Sequence, residues 1–397
     1  MKKRLFSIIG PASGQPDGLT REALDTIKLC DALISTERLA KDLTSIAKIT
    51  AYETSKLAQT AISIKEEHIG ILVSGDTGFF SVASSLNEKL KEHGKVEMIC
   101  GLNSMQMLCA KFGVSYQDAC FLSLHGRKGS LLGAVSYNKK VIALTGGEQN
   151  AQKLCQTLAA AGLGDITVSV GENIGSEHER ILTDTAKNLS EQKFADLAVM
   201  LVLNPNAAER HLAVLDAEME RGKVPMTKQE ARWTAVKMLD LKPSDTVYDI
   251  GAGTGSISME MARKVYNGMV YAIERKKEAI ELIEKNRKNL GSFNVLPFEG
   301  QAANIIDKLP VPDAAFIGGS DGEMSEIITK LLNKNPKVKV IISAVSLETL
   351  LDAKEAIKNF DEQNIVQIHS IRGHRINDTT EFTSNNPIYL LYGKAKA

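Results

Sequence analysis

Two carboxylates and a cluster of glycines mark the part of the chain best suited to hold a ligand. The run Val247-Tyr248-Asp249-Ile250-Gly251-Ala252-Gly253-Thr254-Gly255 reads as a strand entering a glycine loop that opens a helix. Such a loop lets the backbone approach a ligand closely at a strand's carboxyl end. Glu274 follows the next apolar run, where a carboxylate can accept both hydroxyls of a ribose. A nicotinamide-dinucleotide site would want a third glycine where Ser256 stands. Asp249, just ahead of the loop, would crowd a pyrophosphate, whereas it suits a zwitterion bearing a sulfonium. The expected ligand is therefore S-adenosylmethionine, held by Asp249, Gly251, Ala252, Gly253, Thr254, Gly255 and Glu274.

A second glycine-rich turn, Ser74-Gly75-Asp76-Thr77-Gly78-Phe79-Phe80-Ser81, follows an apolar strand and precedes a helix. Alone it reads equally well as a capped helix start. The elements that must position both loops alternate between short β-branched runs and helix-period segments, the pattern of α/β domains. Strands are expected at 5–9, 32–35, 70–74, 96–100, 141–145, 166–170 and 197–203. A second series runs through 246–250, 269–273, 295–299, 314–317, 338–343, 365–371 and 387–392. The spacing predicts helices over 78–91, 151–161, 228–239, 256–265 and 276–290. In the last of these, Ala279, Leu282, Ile283, Asn286 and Leu290 share one face. Between the series, residues 206–224 are polar and rich in charge, so a linker is expected there, between domains at 1–205 and 225–397.

Composition narrows the partners. Lys plus Arg and Asp plus Glu both number 48, which favours neither nucleic acid nor an anionic membrane. No run approaches the roughly 18 apolar residues of a membrane span, and the basic start Met1-Lys2-Lys3-Arg4 precedes too short an apolar run for a signal peptide. The five cysteines are odd in number and lack a CxxC pair, which argues against structural disulfides and zinc and for a reduced, cytoplasmic protein without a metal.

From residue 221 onward the chain resembles the decarboxylating precorrin C15-methyltransferases, through Pro225-Met226-Thr227-Lys228-Gln229-Glu230-Ala231-Arg232, the glycine loop, and Phe316-Ile317-Gly318-Gly319-Ser320. The resemblance adds Thr227 and Ala302 to the cofactor residues. Gln301 stands where the family usually has Asp, and Asp321 replaces a glycine of the family's turn. Residues 3–205 resemble the tetrapyrrole methylases, in the precorrin C5-methyltransferase branch. The segments are Ile8-Ile9-Gly10-Pro11, Gly14 to Thr20, the Gly75 loop, Gly101-Leu102-Asn103-Ser104, Leu124-His125-Gly126-Arg127 and Gly171 to Gly175. Here the implied cofactor residues are Gly10, Gly75, Asp76, Gly78, Phe79 and Ser104, with Ala12, Ser13 and Thr77 departing from the family pattern. The implied fold is α/β, a two-lobed tetrapyrrole methylase domain followed by a Rossmann-like class I methyltransferase domain.

The resemblance implies C-methylation of a precorrin or cobalt-precorrin at C5 and C15, with loss of CO2, on the route to cobalamin. Methyl transfer from a sulfonium is an in-line displacement that needs alignment more than acid–base help, in keeping with the lack of a triad or paired carboxylates. A polycarboxylated macrocycle calls for cations, and Arg127, Arg232, Arg372 and Arg375 are the candidates. Single-domain relatives imply a homo-oligomer. Two other readings stay open: an RNA or protein methyltransferase, and a non-enzymatic S-adenosylmethionine-binding protein with a degenerate first half.

Overall fold

Short runs of Ile, Leu and Val fold as strands where helices or a second layer cover both faces, as parallel sheets require. The computed structural model describes residues 4–11, 18–126 and 129–395, and the chain divides into two units. Of the described residues, one gathers those up to 126 with 141–156 and 165–202; the other gathers 129–140, 157–164 and 203–395.

The first unit has two five-stranded sheets. Strands β1 (Leu5–Ile9), β2 (Ala32–Ser35), β3 (Thr50–Ala51), β4 (His68–Leu72) and β5 (Lys95–Ile99) pair in parallel, in the order β3-β2-β4-β1-β5. The second sheet is built from β6 (Cys120–Ser123), β7 (Lys140–Thr145), β8 (Thr167–Glu172), β9 (Arg180–Thr185) and β10 (Ala198–Leu203), in the order β6-β7-β10-β8-β9. Strands β3, β6 and β9 were not expected from the sequence. Each lies at a sheet edge, and β3 and β9 are largely exposed, so neither carries an apolar run. The helix Ser104–Lys111 joins the two sheets: Leu108 packs on Gly171 of β8, and Lys111 pairs with Glu179 at 2.8 Å. Asn103 and Gln106 close a capping box at its start.

The second unit is a seven-stranded sheet. Its strands are β11 (Thr246–Ile250), β12 (Met269–Glu274), β13 (Val295–Glu299), β14 (Ala314–Ile317), β15 (Lys339–Ala344), β16 (Glu362–Ile368) and β19 (Ile388–Lys394). The order is β13-β12-β11-β14-β15-β19-β16, with β19 antiparallel to both neighbours. A separate hairpin, β17 (Ile371–Ile376) and β18 (Thr379–Ser384), replaces the expected continuation of a strand to residue 371. Successive strands leave β11 in opposite directions, so a crevice opens at the carboxyl ends of β11 and β14.

The expected linker is instead part of the second unit. Val214 and Met219 join its core, Glu260 accepts from the Val214 amide at 3.0 Å, and Arg263 donates to the Leu212 carbonyl. Asn286, buried on the helix Lys277–Asn289, donates to the carbonyls of Glu220 (2.8 Å) and Thr254 (2.9 Å) and accepts from the Glu220 amide (2.8 Å). These side chains take the place of sheet partners, so the segment needs no hydrophobic periodicity and reads as a tether. Asn286→Ala leaves three backbone groups without their partner, the Thr254 carbonyl buried and the two of Glu220 part-buried, and should cost about 1–3 kcal/mol. Urea unfolding followed at the single tryptophan, Trp233, measures this; a loss under about 0.5 kcal/mol would mean that water replaces the amide.

Candidate functional site

The crevice at the end of β11 holds a cavity of about 730 Å³, within the range of small-molecule sites. Gly251, at φ 69°, begins its floor. A β-carbon there would come within 2.7 Å of the nitrogen and oxygen of Gly319, so the two loops touch backbone to backbone. Gly253 (φ 56°) donates its amide to Glu274 Oε2 at 3.0 Å, and the Lys276 amide donates to Glu274 Oε1 at 2.9 Å. Each carboxylate oxygen keeps a lone pair for a hydroxyl. Asp249 lines the cavity but is 1% exposed and accepts from Ser258. Burial pushes its carboxyl up to about 7, the Glu274 charge adds to this, and the Ser258 hydrogen bonds offset part of it.

Thr227, Asp249, Gly251, Ala252, Gly253, Glu274 and Ala302 all line this one cavity. Thr254 and Gly255 do not. Thr254 is 1% exposed and offers its carbonyl to Asn286, while Gly255 at φ 76° opens the helix Ser256–Lys264 against Ile283. Both shape the loop from beneath. The paired acids and the glycine floor fit S-adenosylmethionine: hydroxyl acceptors at Glu274, a carboxylate for a cationic group at Asp249, and a floor free of side chains. Among the described residues no group of three or more His, Cys, Asp or Glu could hold a metal, and no helix is long and apolar enough to cross a membrane.

The arginines expected to bind substrate are placed differently. Arg232 is fully buried and donates to Asp216 (2.8 Å), to the carbonyl of Thr227 (2.8 Å) and to the carbonyl of Val214 (2.6 Å). It fixes the cavity wall and cannot meet a substrate. Arg372 makes a two-point contact with Glu230 (2.9 and 2.6 Å) and another with Asp216 (2.9 Å), so its donors are engaged within the fold. Arg375 is exposed on the β17–β18 hairpin. Arg127, like Ala12 and Ser13, lies outside the described residues. The cations that line the cavity are Lys228, Arg275 and Lys276, none of which the sequence reading singled out as a cation. The adjacency of Arg275 and Lys276 to Glu274 was the available signal.

In the first unit the loops after β1, β4 and β5 converge. A β-carbon on Gly10 would lie 2.5 Å from the Gly75 carbonyl, and one on Gly101 would lie 2.1 Å from the Gly10 carbonyl. Gly75 adopts φ 73°, Thr77 is buried, and Arg38 donates to Ser74 at 2.9 Å. Asp76 sits close enough that a β-carbon on Gly78 would be 3.6 Å from its Oδ2. Phe79 packs edge-on against Phe80 and Phe121, with ring centres 4.6 and 4.9 Å away. Ser104 opens the helix that Asn103 caps. Gly10, Gly75, Asp76, Gly78 and Ser104 thus gather where the sheet order turns, at the carboxyl ends of three neighbouring strands.

Comparison with known proteins gives two family matches. Residues 6–190 match the tetrapyrrole (corrin/porphyrin) methylases, and residues 219–393 match the precorrin methyltransferase domain. A probable cobalt-precorrin-6B C(15)-methyltransferase (decarboxylating) of Methanosarcina mazei is 34% identical over 175 residues, 43% of this chain and 94% of that protein. A precorrin-6Y C(5,15)-methyltransferase (decarboxylating) of Sinorhizobium sp is 27% identical over 295 residues, 71% of this chain and 70% of that protein. A solved structure of a precorrin-6y C5,15-methyltransferase from Geobacter metallireducens is 30% identical, covers 47% of this chain and 97% of its own, and has a TM-score of 0.44.

The buried Asp249 carboxyl makes a signed prediction. Its folded pKa of about 7 lies above the ordinary 3.8, so the unfolded chain ionises first as pH rises. The resulting loss of stability grows above about pH 4 and levels off above about pH 7. Asp249→Asn should therefore raise the thermal midpoint of the ligand-free protein at pH 8, by a margin that narrows toward pH 5. The same change should weaken S-adenosylmethionine binding about tenfold or more, because an amide leaves a cationic ligand group without its counter-charge. Calorimetry checks both, and equal midpoints at pH 8 would contradict the argument.

Proposed function

The chain belongs to the precorrin methyltransferases, S-adenosylmethionine-dependent enzymes of cobalamin biosynthesis, and on that basis we propose that its two units act on one macrocycle. The first unit methylates C5. The second methylates C15 and releases CO2 from the acetate chain of ring C. The observation that carries the reading is the cavity at the end of β11, where Asp249 and Glu274 stand around a floor made of glycine backbone.

Bound there, S-adenosylmethionine supplies an electrophilic methyl group. Glu274 would hold the ribose hydroxyls, Asp249 the cationic end, and Gln301 and Ala302 the wall beside the base. Thr227 would border the same ligand, held in place through the bond from Arg232 to its carbonyl. In the second unit the ring carbon forms a bond to the methyl carbon as the sulfur–methyl bond breaks. When CO2 leaves, the bonding pair passes into the conjugated ring, so the protein contributes alignment and charge. In the first unit Gly10, Gly75, Asp76, Gly78, Phe79 and Ser104 would border the second cofactor.

The reading extends to a cytoplasmic enzyme, whose five cysteines stay reduced there. It also extends to a homo-oligomer, supported by the exposed apolar side chains of Val345, Leu347, Leu351 and Phe382. Sedimentation measures the latter, and a monomer at micromolar concentration would exclude it.

Incubation with a purified precorrin substrate, with and without cobalt, tests the chemistry by mass. Two methyl additions and one CO2 lost are expected; one methyl and no CO2 would refute the two-site reading. Glu274→Ala removes two acceptors of charge-assisted hydrogen bonds, so it should slow CO2 release about 100-fold or more while C5 methylation persists. Gly10→Ala, whose new carbon would meet the Gly75 carbonyl, should give the converse.

A further inference from the structure

Of the cations that line the second unit's cavity, Arg275 is the one with a planar fork of donors. It follows Glu274 directly, and the Glu274 carboxylate is fixed by the amides of Gly253 and Lys276, so the main chain on both sides of Arg275 is held. Its guanidinium makes one ion pair, from Nε to Asp321 Oδ2 at 2.8 Å, with both side chains 51% exposed. Its terminal nitrogens hold no hydrogen bond among the described residues. A half-exposed, single-point pair of this kind is screened by solvent and contributes little, so a ligand can exchange for it. Asp321 sits in the turn after β14 with φ 50°, a left-handed conformation that disfavours a side chain. It too lines the cavity.

We propose that Arg275 is the receptor for a carboxylate side chain of the macrocycle, and that Asp321 is its placeholder. Asp321 keeps the guanidinium turned to the cavity between turnovers. The substrate carboxylate then takes the two free terminal nitrogens as a fork, or displaces Asp321 outright. Because Glu274 and Arg275 are consecutive on one strand end, a single stretch of backbone sets both the cofactor ribose and one substrate anchor. This inference rests on the proposal that the cavity works on a polycarboxylated macrocycle.

The test uses the full chain with saturating S-adenosylmethionine and a precorrin substrate, and follows CO2 release, which reports the second unit alone. Arg275→Met should raise the KM for CO2 release about 10- to 100-fold, as expected for loss of a charge-assisted pair. The calorimetric Kd for S-adenosylmethionine should stay within about twofold. Arg275→Lys should recover part of the loss, since it keeps the charge without the fork. Asp321→Asn should lower KM or leave it unchanged, because the placeholder competes with substrate. An unchanged KM in Arg275→Met overturns the proposal. So does a fall in cofactor affinity that matches the rise in KM, which would assign Arg275 to the adenosyl group. If the wild-type chain releases no CO2, the macrocycle reading itself fails, whatever the variants do.

Discussion

At the carboxyl edge of the large sheet two loop backbones lie against each other with no side chain between them. The backbone of Gly319 can approach this closely because Gly251 presents no β-carbon to it. The approach brings the loop after β11 down onto the loop after β14, so the floor of the cavity is main chain. From that floor the Gly253 amide reaches Glu274, and Asp249 lines the cavity with 1% of its surface exposed. One steric allowance thus sets the position of both acids. A bulkier residue at Gly251 would separate the loops and move the acids apart, even with every hydrogen-bonding group still present.

The same unit spends its buried arginines on architecture. Asp216 is partly buried, which works against its charge, yet hydrogen bonds from Arg232 and Arg372 outweigh that and hold its pKa below the usual carboxylate range. Arg232 then reaches the carbonyls of Thr227 and Val214, binding the polar segment before the helix Gln229–Met238 to the cavity wall. A buried guanidinium left without such partners would be strongly destabilising. The arrangement therefore ties the first residues of the cavity to the core, and the cations left for a ligand are those at the rim.

Much of this was legible in the sequence. The strands inside the sheets announced themselves as apolar runs, and 5–9, 32–35, 246–250 and 314–317 fall at the expected positions, as does the edge strand 295–299. Glycines that must adopt positive φ, with acids at the ends of neighbouring strands, are a local signal, so Gly251, Gly253 and Glu274 could be read directly. The arginines could not. Whether Arg232 meets a ligand or a buried Asp216 depends on a partner 16 positions away, and nothing local distinguishes the two cases. The segment 206–224 looked like a tether because side chains, among them Glu260, Arg263 and Asn286, satisfy its backbone. Hydrophobic periodicity carries no trace of that arrangement.

The reversed direction of β19 has a consequence for how such a site can be altered. Since β19 runs against β15 and β16, Ile388 stands opposite Ile368, and the end of one strand and the start of the other arrive together at the cavity. The hairpin between them hangs from this pair of anchors like a collar. Past Arg372, which is tied to Glu230 and Asp216, residues could be inserted or removed in the span 373–384 without shifting one rung of the ladder from Glu362–Lys394 to Ile368–Ile388. The outline of the entrance can therefore be recut while the β11 loop and the carboxylate of Glu274 stay where they are.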